Sequence, residues 1–121
     1  MSKRILIVDD STAFRKVVVQ ALEGEGYEVV DAIDGEDALT KLDGTKFNLI
    51  VCDVNMPNMD GITFLKKAKE IESYKFTPVC MLTTESDRAR MEEGKAAGAQ
   101  GWIVKPFQPQ LLLNAVAKLL A

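Results

Sequence analysis

Four segments of this 121-residue chain place reactive side chains directly after short apolar runs. Ile5-Leu6-Ile7-Val8 ends in Asp9-Asp10, and Leu49-Ile50-Val51-Cys52 ends in Asp53. Pro78-Val79-Cys80-Met81-Leu82 ends in Thr83-Thr84, and Trp102-Ile103-Val104 ends in Lys105-Pro106. Short apolar runs of this kind read as buried strands. In an open parallel sheet, ligands bind beyond the carboxyl ends of the strands, so these side chains would meet on one rim. Three carboxylates side by side repel one another, and without compensation some must stay protonated. A hard divalent cation removes that conflict, and Mg2+ prefers oxygen ligands while keeping several waters. Lys105 would supply fixed positive charge to a phosphoryl oxygen, and Thr83 a hydroxyl donor. The chemistry that fits is phosphoryl transfer onto a carboxylate, with Asp53 the most central nucleophile.

Taken singly, none of these residues persuades. An aspartate after a strand usually caps a helix or forms a turn, a lone lysine usually sits on the surface, and a lone threonine is an ordinary loop or capping residue. Their joint placement at the ends of several strands is what singles them out. Other motifs fail. Gly24-Glu25-Gly26 begins like a dinucleotide fingerprint but follows a helix and lacks the later glycine. There is no Walker-type lysine loop. Asp53-Val54-Asn55 resembles in outline the haloacid-dehalogenase-like phosphatases, which carry an acid two residues after the nucleophile. Asn55 cannot serve as general acid–base, so fast hydrolytic turnover is disfavoured. A Mg2+-dependent aspartyl-phosphate phosphatase is therefore the weaker alternative, and the chain is expected to catalyse only its own phosphorylation and dephosphorylation.

Composition narrows the field further. Lysine and arginine total 15 against 18 acids, a net charge of −3, and the basic residues are scattered. Nucleic-acid binding through a basic face is not expected. The absence of histidine excludes Ser-His-Asp catalysis, His-ligated zinc and histidine pH switching. Cys52 and Cys80 lie inside apolar runs without a metal-site spacing and read as buried small hydrophobes. The run Ile5–Val8 is too short for a signal peptide or a membrane span. A monomeric, cytoplasmic, single-domain protein without membrane insertion is expected over residues 1–121.

The intervening segments supply the elements that must hold the rim together. After Asp10, Ser11 or Thr12 caps a helix with apolar positions Phe14, Val17, Val18, Ala21 and Leu22, ended by Gly24 and Gly26. Glu28-Val29-Val30 is a second strand. Asp34-Gly35 turns into a helix carrying Ala38, Leu39 and Leu42. A loop from Val54 to Asp60 precedes a helix opened by Gly61, with Ile62, Leu65, Ala68 and Ile71. A polar helix runs from about Ser86 to Ala97, with Gly98 and Gly101 at its exit. Pro109 opens the last helix, through Leu112, Val116, Leu119 and Leu120. Five alternations of strand and helix predict an α/β fold with a parallel sheet covered on both faces. In the last helix Leu111, Leu112 and Leu113 cannot all face one core stripe, since a helix turns about 100° per residue.

Val8-Asp9-Asp10-Ser11, Asp53 through Gly61, Thr83-Thr84-Glu85 and Lys105-Pro106-Phe107 together resemble the receiver family of two-component systems, over nearly the whole chain. The resemblance implies a flavodoxin-like (βα)5 fold, a three-layer arrangement with strand order 2-1-3-4-5. It implies Asp53 as phosphoacceptor and a phosphohistidine on a partner histidine kinase as donor. Asp10, the Asp53 carboxylate and the Asn55 carbonyl would bind Mg2+, with Asp9 acting through one of its water ligands. Lys105 would contact the phosphoryl group, with the Lys105-Pro106 bond cis. Thr83 would move toward the phosphate, and Trp102 would follow from exposed to buried. Asn55, Glu85 and Thr84 would tune dephosphorylation.

Thr83-Thr84-Glu85 and the run Gly94 through Trp102 look most like the CheY-like chemotaxis branch of the family. That implies a stand-alone regulator that docks on a downstream target, such as a flagellar motor switch component, with a phosphatase as a further partner. A relay or scaffold receiver outside chemotaxis is the alternative. In the family the output surface is the face of the fourth and fifth helices and the last strand, here Met91, Trp102 and Leu111. Trp102 stands where tyrosine or phenylalanine is usual, a larger ring to bury. Thr84 stands where alanine or glycine is frequent, and its branched side chain is expected to narrow access to the phosphoryl group.

Overall fold

A computed structural model describes residues 3–84 and 88–121. Among them five strands alternate with five helices: β1 (Arg4–Val8), α1 (Thr12–Gly24), β2 (Glu28–Ala32), α2 (Gly35–Lys41), β3 (Leu49–Asp53), α3 (Gly61–Glu70), β4 (Val79–Thr84), α4 (Arg88–Ala96), β5 (Gly101–Lys105) and α5 (Pro109–Leu120), with a 3-10 turn at Glu72–Tyr74. All strand pairings are parallel, in the order β2-β1-β3-β4-β5. This is the predicted flavodoxin-like arrangement.

Period-two alternation within each strand divides the core into two layers. Leu6, Val8, Ile50, Cys52, Val79 and Met81 face Ala38, Leu65 and Ala68 of α2 and α3. Ile5, Ile7, Val51, Cys80, Leu82 and Ile103 face Val18, Leu22, Leu112 and Val116 of α1 and α5. Each such fully buried aliphatic side chain contributes about 1.5–3 kcal/mol through loss of apolar surface to water. Both cysteines are free and buried, as expected. Burial pushes the Cys80 thiol up to about 12 and Cys52 well above its ordinary range, which leaves both inert as nucleophiles. Among the described residues no helix is long and apolar enough to cross a membrane.

Three of the helices that open at the site end of the sheet, α1, α2 and α3, are anchored by short polar side chains. Ser11, Asp34 and Asp60 accept from the N–H groups of Phe14, Asp37 and Thr63, at 3.2, 2.8 and 2.8 Å. Each satisfies a donor that the first helical turn leaves without a partner.

Several boundaries differ from the sequence expectation. β2 continues to Ala32, because its ladder with β1 runs on through Val8 opposite Ala32. β4 takes in Thr83 and Thr84, which lie opposite Val104 and Lys105. Gly101 belongs to β5 rather than to the exit of the preceding helix. The expected start of the polar helix at Ser86 lies outside the described residues, and α4 is described from Arg88. Val17 was expected on the core face of α1 but is 54% exposed. The buried stripe is Arg15, Val18 and Leu22, and Val17 falls on its flank. On α5 the leucines divide as helical geometry requires, with Leu112 buried and Leu111 51% exposed.

Candidate functional site

The carboxyl ends of β1 and β3 bring Asp9, Asp10 and Asp53 together, with one carboxylate oxygen of each within 4.8 Å of the others. Asp9 is fully buried, Asp53 nearly so, and Asp10 is exposed. Lys105, from the end of β5, donates to Asp9 Oδ2 and to Asp53 Oδ2, both at 3.2 Å. Asp9 Oδ1 accepts from the Ser11 N–H at 2.8 Å, so both of its carboxylate oxygens are engaged. Burial pushes the Asp53 carboxyl above its ordinary range. Lys105 pulls it down, and the charges of Asp9 and Asp10 push it back up. One lysine thus fails to offset the cluster, and the donor set fits a small hard cation.

Thr83 lies one position beyond the β4 residue opposite Asp53. Its hydroxyl is buried and has no hydrogen-bond partner among the described residues. A buried orphan of this kind is rare and costs roughly 1–3 kcal/mol. Thr84 is exposed and lies opposite Lys105. Asn55 is exposed in the loop after β3. That loop is fixed by Val54 N–H donating to the Leu82 carbonyl at 2.9 Å and Gly61 N–H to the Val54 carbonyl at 2.8 Å. The Lys105-Pro106 bond is cis, as expected. Glu85 lies outside the described residues.

These features stand in a chain that matches the response regulator receiver domain over residues 5–117. It belongs to that family. The chemotaxis protein CheY of Pseudomonas aeruginosa is 38% identical over 117 residues, covering 96% of this chain and 94% of that protein. Among solved structures, the chemotaxis response regulator CheY4 of Vibrio cholerae superposes with a TM-score of 0.93 at 45% identity, covering 98% of this chain and 99% of that one. A CheY-like response regulator receiver domain protein of Methanospirillum hungatei gives 0.92 at 36% identity, over 99% and 94% of the two chains.

Two further residues hold this receiver's acidic rim: Arg15, which the sequence does not mark, and Gly61, which it marks only as a helix opener inside the Asp53-to-Gly61 motif. Arg15, buried on α1, donates from Nη1 to the Asp9 carbonyl at 2.7 Å and from Nε to Asp31 Oδ2 at 2.8 Å. It ties the acid pair to β2. A lone arginine in register with Val18 and Leu22 was the available signal. Gly61 opens α3 directly against the Asp53 backbone, and a Cβ there would overlap the Asp53 carbonyl oxygen. Asp60, which caps α3, also pairs with Arg90 of α4 at 2.9 Å. Burial pushes the Asp60 carboxyl up, but the Thr63 N–H and Arg90 outweigh it and hold the group below its ordinary range.

The surface hollow at Leu111 is lined by α5 residues, including Asn114, Ala115 and Lys118, and by Ala121 just after the helix. Met91 is half-buried on α4. Trp102 packs inward against the core layer that also holds Met81, and its Nε1 is buried without a partner among the described residues. The larger ring finds its room at Gly94 of α4, where a Cβ would stand 2.5 Å from the Trp102 ring carbon Cζ3.

Gly94→Ala should therefore displace the ring. The helix gains about 1 kcal/mol of propensity from alanine, but overpacking costs about 1–3 kcal/mol. The emission of the single tryptophan should shift to the red. An unchanged emission maximum would show that the ring does not depend on this notch.

Proposed function

We propose that this chain is a phosphorylation-controlled response regulator in which Asp53 accepts a phosphoryl group from the phosphohistidine of a partner kinase. The observation that carries the reading is the convergence of Asp9, Asp10 and Asp53, bridged by Lys105, beside a buried threonine hydroxyl with no partner among the described residues. An Asp53 carboxylate oxygen attacks phosphorus, the new O–P bond forms as the N–P bond of phosphohistidine breaks, and the imidazole nitrogen leaves with the electron pair. Lys105 moves from its carboxylate partners to a phosphoryl oxygen, and the Thr83 hydroxyl donates to another. Hydrolysis of the acyl phosphate returns the resting state, with Asn55, Thr84 and Glu85 tuning access of the attacking water.

The metal in this reading is Mg2+, held by Asp10, Asp53 and the Asn55 carbonyl, with Asp9 acting indirectly. When bound it neutralises the carboxylates and the charge that develops on the phosphoryl oxygens. The asymmetry between the two adjacent acids rests on their surroundings. Asp9 is buried with both oxygens engaged, whereas Asp10 faces solvent. Asp10→Asn should weaken Mg2+ binding more than Asp9→Asn does, the larger loss being about tenfold or more. Titrating Mg2+ against the fluorescence of Trp102 measures both. Equal losses in the two variants would contradict the assignment.

We further propose chemotaxis as the pathway, because relatives named as chemotaxis proteins match this chain nearly end to end. Residues 1–121 then act as one cytoplasmic, monomeric receiver without membrane insertion. Its output face, containing Met91, Trp102 and Leu111, docks on a target such as a flagellar motor switch component. Inward movement of Thr83 biases an existing two-state equilibrium, and the target need prefer one state by only ~1–3 kcal/mol. The test of the central claim is uptake. Incubated with acetyl phosphate and Mg2+, the protein should gain a hydroxylamine-labile phosphoryl group. A chain that stays unmodified under saturating donor is not a phosphoacceptor.

A further inference from the structure

The Lys105 ammonium has a third partner that is neither an acid nor a phosphate. It lies 4.2 Å from the centroid of the Phe14 ring. Phe14 stands in the first turn of α1, just after the acid pair and the Ser11 cap. The same ring packs perpendicular to that of Phe107, two residues beyond Lys105, with centroids 5.7 Å apart and planes at 88°. The aromatic pair therefore fixes the ring from one side while its face receives the ammonium, which is the arrangement an aromatic quadrupole favours.

We propose that Phe14 is a positioning residue for Lys105, an aromatic perch that keeps the ammonium at the phosphoryl site when its ionic partners are taken. The inference rests on the reading of Asp53 as phosphoacceptor. Lys105 holds Asp9 and Asp53 in the resting geometry. Both carboxylates are claimed by the proposed chemistry, Asp53 as nucleophile and cation ligand, and Asp9 through a water of the cation. A lysine on a flexible four-carbon stem that loses two ionic partners is free to swing into solvent. Of the contacts Lys105 makes among the described residues, the ring is the one that neither phosphorylation nor a bound cation consumes. Phe14 was read from the sequence only as a core position of α1, yet it is only partly buried.

The experiment compares beryllofluoride binding in the presence of Mg2+, followed by Trp102 fluorescence, across a graded series at position 14. Phe14→Leu removes the quadrupole, Phe14→Tyr keeps it, and mono-, di- and trifluorophenylalanine weaken it stepwise at nearly constant shape. Affinity should fall progressively along the fluorinated series and reach about three- to tenfold weaker binding in Phe14→Leu. Phe14→Tyr should stay close to the parent. A second measurement reads the perch itself. The Lys105 ε-methylene protons should show an upfield ring-current shift in the parent that disappears in Phe14→Leu. Affinities that are flat across the fluorinated series would overturn the proposal even if Phe14→Leu is weak, because the ring would then act through shape. If the parent binds no beryllofluoride, the phosphoacceptor reading fails, and the ring-current shift still decides whether the perch exists.

Discussion

Asp53→Asn is expected to abolish phosphoryl uptake while raising the thermal stability of the unliganded protein. The first effect is total because the nucleophile is lost. Asn keeps the shape of the side chain but offers an amide in place of a carboxylate. Asp9 is buried with both oxygens engaged, so it offers no substitute acceptor. The second effect follows from burial, which holds the Asp53 carboxyl above its ordinary value of 3.8 in the folded chain. A raised carboxyl binds its proton more tightly folded than unfolded. Its favourable contribution is present below the ordinary value and is lost as pH rises through the raised one. At neutral pH the ionised group therefore costs stability, and Asn removes that cost. Labelling from acetyl phosphate tests the first effect, and melting at pH 7 without divalent cation tests the second. Undiminished labelling would move the site elsewhere. A lower melting temperature would mean that the Lys105 contact outweighs the burial of the charge.

Gly61→Ala is expected to be among the most damaging single changes that leave every polar residue of the site in place. The added methyl would overlap the Asp53 carbonyl oxygen and stand 2.9 Å from the Asp53 carbonyl carbon and 3.0 Å from Met81 Cε. The methionine tip can turn aside, but the backbone of β3 cannot, because Asp53 is in register with Leu82 and the following Val54 N–H donates to the Leu82 carbonyl. Relief requires α3 to lift off the sheet. Overpacking against backbone should cost about 3 kcal/mol or more, near the upper end for single substitutions. For a domain of this size that lowers the melting temperature by on the order of 10 °C. Beryllofluoride binding should weaken with it, since the displaced backbone carries the acceptor. Thermal unfolding followed by circular dichroism measures the cost. A melting temperature within a degree or two of the parent's would show that α3 can move without penalty.

The strands, the fold and the polar set were legible in the sequence because each is written in local pattern. Ile5–Val8, Leu49–Cys52 and Val79–Leu82 are apolar without interruption, as strands buried on both faces must be. The residues that end them, Asp9, Asp10, Asp53 and Thr83, declare the rim. Strand ends were less legible, since Thr83 and Thr84 look like loop residues until β5 pairs with them. What only the tertiary structure decided is the set of contacts between elements distant in sequence. Periodicity assigns an approximate face to a helix, not its rotation to within one residue. Val17 therefore lies on the flank of α1 rather than on its core face, and Arg15 is buried instead, because Asp31 and the Asp9 carbonyl receive its guanidinium. No local pattern relates Phe14 to Lys105, and the motifs that contain Gly61 with Asp53 and Gly94 with Trp102 do not show that these residues touch. Each pair is joined by close approach in space, where a ring finds a cation or the absence of a Cβ makes room. Sequence could name the groups able to do chemistry, because reactivity belongs to residue types. How they are held had to come from packing, because packing depends on which backbones come within a few ångströms of one another.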